Sequence, residues 1–321
     1  MSFNPGKIRE EFENNRIDKS TALELLTASI ENCNNDEIRL EAIKNLMKLA
    51  PFNDKTFKIL ENLLISDENE KIRYLALKYI GDKFFAKAFY PLKWAFSHEE
   101  DYRCLIETIK LLGKLNNKQT KMVLFNEIKQ ISKKKYLNNV RKIENKKYKK
   151  VLKKLLKEKK HEEFTHNELT HILINFYTIS NLFTQYHNVY YELNSQTGLI
   201  EKLDLSDYLE YEVKGTPWNW KNNIRKLSDI PGFNNLSYLK QIDLSNNNIK
   251  NVRNLIQFQE LTHLILTNNQ LSIENNLNYL KKLPNLIYLD IRGNPITKYI
   301  NSNDFPPHIH VLFKDSYLKI K

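Results

Sequence analysis

The side chains best suited to metal chemistry in this 321-residue chain lie in HEEFTHNELTH, which holds His161, His166 and His171. A helical zinc site sets two histidines four residues apart, so that both face one side with a glutamate beside them. Here the interval is five, about 140° around a helix, and the spacing points to surface histidines with no metal. The 7 glycines fall nowhere within the spacing of a phosphate-cradling loop. No GxSxG elbow occurs, and Cys33 and Cys104 have no CxxC companion. These observations argue against a metal cluster, a disulfide framework and a nucleophilic centre, and no cofactor is expected. Two lone cysteines fit a reducing interior.

What does stand out is charge. The chain carries a formal +12, and residues 101–160 hold 20 Lys/Arg against 5 Asp/Glu. The flanks are close to neutral, 15 against 17 before this stretch and 15 against 16 after it. The candidate anion-binding residues are Lys133, Lys134, Lys135, Arg141, Lys142, Lys146, Lys147, Lys149, Lys150, Lys153, Lys154 and Lys157. Tyr148, Val151, Leu152, Leu155 and Leu156 recur at helical spacing among them, so KKYKKVLKKLLKEKK predicts a basic amphipathic helix. Its apolar stripe would dock on the last pair of helices before it. Its charged side admits three readings: a solvated outer face, a phosphate-facing surface for RNA or DNA, or a contact for an anionic membrane or acidic protein tail. Lysine outnumbers arginine, which suits diffuse attraction better than base reading.

Internal repeats set the elements around this stretch. NDEIRLEAIKNLMKLA from Asn35, NEKIRYLALKYIGDKF from Asn69 and EDYRCLIETIKLLGKL from Glu100 share an acidic or Asn opening, an Arg and a helical apolar stripe. The arginines are Arg39, Arg73 and Arg103, and each is expected to be structural, pairing with an acid of the adjacent repeat or capping a helix. Ile38, Ala42 and Leu46, like Ile72, Ala76 and Ile80, recur at i, i+4 and i+8 and mark one stripe of a helix. Second helices are expected near 54–65, 84–97 and 117–131. Over about residues 20–131 this pattern resembles HEAT-like repeats, which implies antiparallel helix pairs stacked into an α-solenoid. Two enzyme groups share that architecture. The deoxyhypusine hydroxylases hold two irons with four His-Glu pairs, of which this chain offers His98-Glu99 and His161-Glu162. HEAT-like DNA glycosylases match only the basic stretch, and no catalytic constellation can be placed.

Three later segments fit LxxLxLxxN: LKQIDLSNNNI, LTHLILTNNQL and LIYLDIRGNPI, with Asn247, Asn269 and Asn294 closing them. A strand at the central positions sends alternate side chains inward, and the Asn can bond backbone groups where the chain turns away. Over about residues 190–321 the chain resembles leucine-rich repeats of the short class near 22 residues. An earlier unit, with Ile200, Leu203 and Leu205, carries Tyr208 where the Asn should stand and reads as a cap. NSQTG reads as a hairpin turn leading into it. The insertion GTPWNWKNN offers Trp218 and Trp220 as a plug or an anchor. DFPPHIHVLFKD reads as a closing strand behind Pro306 and Pro307. The register sends Lys202, Asp204, Gln241, Asp243, His263, Ile265, Tyr288, Asp290 and Arg292 to the concave face, which the resemblance implies is the docking surface.

The predicted arrangement is a multi-domain repeat protein. A HEAT-like α-solenoid over 1–160 ends in the basic helix, a helical junction comes next over 161–186, and an α/β leucine-rich-repeat solenoid fills 187–321. No apolar run reaches the roughly 18 residues of a membrane span, and the charged N-terminal residues do not resemble a secretory signal. A soluble, cytoplasmic, non-enzymatic protein–protein scaffold is the first expectation. Association with nucleic acid or ribonucleoprotein through residues 129–160 is the second, and a HEAT-like enzyme the third.

Overall fold

The computed structural model describes residues 4–133, 146–186, 188–207, 223–272 and 276–314. The chain divides into two compact units, Met1–Phe125 and Asn126–Lys321.

The first unit is helical: α1 (Pro5–Glu13), α2 (Lys19–Asn32), α3 (Asp36–Leu49), α4 (Asp54–Ser66), α5 (Glu70–Lys83), α6 (Phe89–His98), α7 (Tyr102–Leu115) and the start of α8 (Lys118–Lys133). The residue that precedes each of several helices fixes where it starts, because the first backbone N–H groups need acceptors. Asn35 Oδ1 accepts from the amides of Glu37 and Ile38 at 3.0 and 3.2 Å, and Asn69 Oδ1 from Lys71 and Ile72 at 2.8 and 3.3 Å. Asn53 and Asp101 do the same for α4 and α7. Helices α2 and α3, α4 and α5, and α6 and α7 pack as pairs, with α3 against α5 and α5 against α7 along one layer. The predicted stripe is the buried one: Ala42, Ile72, Ala76 and Ile80 have no exposed surface and Leu46 almost none, although Ile38 is half-buried.

The repeated arginines tie one pair to the next. Arg39 pairs with Asp67, the residue closing α4, and donates from Nε to the Ile30 carbonyl at 3.0 Å. Arg73 grips Glu99, the residue closing α6, through two bonds of 2.9 and 2.8 Å, and donates to the carbonyls of Asp67 and Glu68. Asp67 and Glu99 are each only 3% exposed at their side chains. Arg103 departs from the pattern: it is 59% exposed and sits 3.8 Å from Glu70 of the preceding repeat.

The second unit holds the end of α8, α9 (Lys146–Glu158), α10 (His166–Gln185) and a six-stranded sheet. The sequence-based boundary at 160 and this division differ, because the stripe of α9 packs onto elements later in the chain. Tyr148 is fully buried against Phe176 of α10 and donates its hydroxyl hydrogen to the Gly198 carbonyl at 2.8 Å. Leu152 and Leu155 are buried with it. The segment expected as a junction is α10 itself, opened by a reciprocal Thr165–Glu168 cap and buried along most of its length. Asn175 accepts from the amide of Ile200 at 2.9 Å, fastening α10 to the sheet, and the Tyr177 hydroxyl bonds Glu127 at 2.6 Å.

The strands are β1 (Tyr190–Leu193), β2 (Ile200–Asp204), β3 (Gln241–Asp243), β4 (His263–Ile265), β5 (Tyr288–Asp290) and β6 (His310–Leu312), in that spatial order. β1 and β2 form the hairpin expected at NSQTG, where Asn194 accepts from Gln196 and Thr197. β2 to β6 run parallel, with Leu203, Ile242, Leu264, Leu289 and Val311 in register. A three-residue strand offers few ladder bonds, so the chain leaving each strand needs other partners. Asn247 Nδ2 donates to the carbonyls of Leu205 and Leu244 at 3.0 and 3.1 Å, and its Oδ1 accepts from Ile224 N at 2.9 Å. Asn269 and Asn294 repeat these bonds one and two turns on. Return segments are short 3-10 turns, including Phe233–Asn235 and Arg253–Gln257, and the helix α11 (Asn276–Lys281). Phe233 and Phe258 fill the space beneath them with ring centroids 4.7 Å apart. Among the described residues no helix is long and apolar enough to cross a membrane.

Three predictions test this framework. Asn269→Ala strands buried carbonyl and amide groups and should cost about 2–4 kcal/mol in chemical denaturation, with loss of cooperativity along the strand array; an unchanged midpoint would remove the ladder from the account. Arg73→Ala should cost about 3 kcal/mol by leaving Glu99 buried and unpaired. Burial alone would raise the Glu99 carboxyl, but the hydrogen bonds and charge of Arg73, together with the amides of Asp101 and Glu100, outweigh it and hold the group below the usual range. Its contribution is therefore present above that range and lost as pH falls through the depressed folded value. The stability gap between the parent and Glu99→Gln should be widest near neutrality and close in acid, as read by melting at a series of pH values.

Candidate interaction surfaces

Strand register builds the first surface. One face of each strand is the core, Leu203, Ile242, Leu264 and Leu289 being at most 2% exposed. The other face carries two columns. Lys202, Gln241, His263, Tyr288 and His310 are successive partners in one, and Asp204, Asp243, Ile265, Asp290 and Leu312 in the other. The hairpin strand adds Glu192 beside Lys202 and Tyr190 beside Asp204. Parallel pairing at a fixed spacing stacks like with like. The rings of His263 and Tyr288 lie 5.7 Å apart at 27°, and those of Tyr288 and His310 5.9 Å apart at 33°.

The two columns differ in how far their groups are already engaged. Asp290 is 3% exposed and held by Arg292 through bonds of 3.0 and 2.7 Å, so this pair is part of the turn. Asp243 accepts from the Ser245 amide at 2.9 Å and from its hydroxyl. Burial pushes its carboxyl above the ordinary aspartate value, and the charge of Asp204 adds to the effect. Burial likewise raises the Tyr288 phenol, aided by the charge of Asp290. Lys202 lies 3.6 Å from Glu192. Gln241 and His310 are exposed, and His263, Ile265 and Tyr288 are half-buried. The turn after each strand needs a left-handed residue at one place, filled by Asn246, Asn268 and Gly293 at φ 56°, 53° and 72°. Asn268 donates to Asn246 at 2.8 Å, and Gly293 sits so close to the Asn268 side chain that a Cβ would overlap it.

The second surface is the charged side of α9. Lys146, Lys149, Lys150, Lys153, Lys154 and Lys157 line one open groove of about 540 Å³, with Glu158 at its end. Glu158 comes no nearer than 3.9 Å to Lys154, and both side chains are about half exposed. Lys147 is turned away from this row, its Nζ donating to the Tyr191 carbonyl at 2.6 Å and lying 4.9 Å from the Tyr190 ring centre. Lys133 ends α8. Lys134, Lys135, Arg141 and Lys142 lie outside the described residues, as do Tyr208, Trp218 and Trp220.

The candidate metal residues do not converge. His98 stacks on Trp94 at 4.3 Å, while the adjacent Glu99 is taken by Arg73. His171 is pushed toward its neutral form by burial, with its Nδ1 3.2 Å from the Tyr238 hydroxyl. Among the described residues no group of three His, Cys, Asp or Glu side chains is placed to hold a metal ion. Cys104 is buried, and desolvation pushes its thiol far up, away from thiolate chemistry. No family model matches the chain, and neither does any curated protein sequence.

Tyr190, Glu192 and His310 share the strand face without having been singled out from sequence. Pairing β6 in the frame of HIHVLF would have placed His310 beside Tyr288, since His310 precedes a Val–Leu pair as Tyr288 precedes Leu-Asp.

This geometry sets two expected outcomes. Asp243→Asn keeps the acceptor for Ser245 and removes a half-buried charge beside Asp204. A carboxyl with a raised folded pKa stabilises below its ordinary value and loses that contribution as pH rises through the folded one. Asp243→Asn should therefore melt higher than the parent at neutral pH, the difference vanishing in acid; a lower melting point at neutrality would contradict it. Gly293→Ala should lose about 1–2 kcal/mol for the left-handed backbone alone, and more as Asn268 is displaced, whereas the same change at an exposed surface site is nearly neutral.

Proposed function

We propose that the first unit is a HEAT-like stack and the second a leucine-rich-repeat solenoid, and that the protein is a non-enzymatic docking scaffold working in the cytoplasm. One observation carries the reading: the open strand face presents an unbroken column of side chains that reach solvent, while Leu203, Ile242, Leu264 and Leu289 on its other face are core. The centre of that column, His263–Tyr288–His310, is aromatic and stacked, with Gln241 and Lys202 beside it. Rigid aromatic side chains with polar neighbours are the composition of interface anchors. Ordered turns hold them in place at little entropic cost on binding. Asp290 and Arg292, chosen from the repeat register, serve this surface by closing its edge.

The test is affinity isolation of the full chain from cells, followed by the double change His263→Ala with Tyr288→Ala. Both side chains reach solvent, so the fold should survive, as circular dichroism and melting would show. A partner that docks on the strand face should lose at least about tenfold in affinity, since hot-spot aromatics contribute about 2 kcal/mol or more each. If every reproducible partner is retained by the folded double variant, this face is not the docking surface.

A further inference from the structure

The lysine row on α9 is the most densely charged element described, and docking on the strands leaves it unused. We propose that this row is a second, separate binding surface, which takes the phosphodiester backbone of nucleic acid without regard to sequence.

The helix has two sides, and the structure commits one of them. Tyr148, Leu152 and Leu155 are buried against α10 and the turn at Gly198, where φ is +73° and a Cβ would come within 2.9 Å of Leu155. The centre of the apolar stripe that a bilayer or a partner's greasy cleft would need is already occupied, with Val151 and Leu156 half-buried at its margins. Along the outward groove run Lys146, Lys149, Lys150, Lys153, Lys154 and Lys157. Those residues span about 17 Å of helix, a length over which duplex DNA carries about ten negative charges. Glu158 is the acid beside them, and its exposed approach to Lys154 at 3.9 Å is the kind of surface pair that contributes little.

The side-chain chemistry narrows the ligand further. Lysine is a compact point charge, and no arginine of α9 offers a planar fork to a base edge. Tyr148, the aromatic residue of this helix, is turned inward, so no ring is presented for base stacking. Protein partners are held by buried aromatic and apolar anchors, and none is interleaved with this row. Contact with a phosphate backbone needs positive charge alone, released counterions supplying the free energy. Lysines at i and i+4, such as Lys146 with Lys150 and Lys153 with Lys157, repel one another along the helix, and a polyanion relieves that repulsion.

The experiment uses the full chain with three short labelled probes, an RNA duplex, a DNA duplex and an unstructured single strand, and reads fluorescence anisotropy across a salt series. Binding should be independent of probe sequence. For the DNA duplex, log affinity should fall against log salt with a slope of about −4.5 to −5.5, from five or six contacts at about 0.9 each. Combining Lys150→Gln, Lys153→Gln, Lys154→Gln and Lys157→Gln should lower the affinity at least about tenfold and flatten the slope by about 3 to 4. These four line an open groove, and removing like charges favours the helix, so melting should not fall. The strand-face pair His263→Ala with Tyr288→Ala should bind the probes like the parent, which separates the two surfaces. Ranking the three probes identifies which nucleic acid presents the backbone best. The proposal is overturned by unchanged binding in the quadruple variant, by no binding to any probe at low salt, or by preferential capture of polyglutamate or of anionic phosphatidylserine vesicles.

Discussion

Everything on the strand face depends on three asparagines acting as backbone. A strand of three residues cannot hold its neighbours by ladder bonds alone, and buried carbonyls at its exit would each lack a partner. Asn247, Asn269 and Asn294 answer this by bonding the carbonyl of their own turn, the carbonyl of the turn before and an amide of that earlier turn. One side chain thereby sets both the height of a repeat and its register with the last. The two exposed columns are a consequence of that constraint, since a slip of one residue would send His263 and Tyr288 into the core.

The helical unit solves the same problem with charge in place of amides. Arg39 and Arg73 each reach from the second helix of a pair to the acid that ends the following helix, and direct other donors to backbone carbonyls, near the end of α2 for Arg39 and between α4 and α5 for Arg73. A buried pair of this kind gives little net stability against a hydrophobic replacement, but leaving one partner alone is costly. Its value lies in fixing which helix end meets which. Arg103, with an exposed side chain and a distant acid, marks where this relay stops.

How much of this could be read beforehand differs from element to element. The three LxxLxLxxN segments were legible because strand alternation and the Asn turn impose a residue type at each position, and the structure puts each strand where the pattern does. Helices α3, α5 and α7 were legible through their caps and stripes. The partner of α9 was not. An apolar stripe says that a helix packs, and nothing in Tyr148, Leu152 or Leu155 says against what; the answer needed the left-handed Gly198, which lets the hairpin turn close over the helix. Asp290 looked like its column mates Asp204 and Asp243, yet it is buried because position 292 is Arg where the other repeats have Ser or Thr. That coupling spans only two residues, and periodicity is blind to it.

Polar groups already satisfied within the fold are poor candidates for partners, because a ligand would have to replace bonds that are geometrically fitted. This excludes Arg39, Arg73, Glu99, Asp290 and Arg292, the ladder asparagines, and Lys147 with its carbonyl and two rings. The same filter leaves Lys146, Lys150, Lys153 and Lys157 on the outward side of α9. Its lysines are held in a row by apolar packing on the opposite side, and the acid at the end of that row reaches Lys154 only at 3.9 Å. A helix whose neighbouring charges repel persists only because that packing outweighs a few tenths of a kcal/mol per like pair. Six lysines along one groove thus oppose the stability of the helix that carries them, and a polyanion laid along the groove reverses the sign of that contribution.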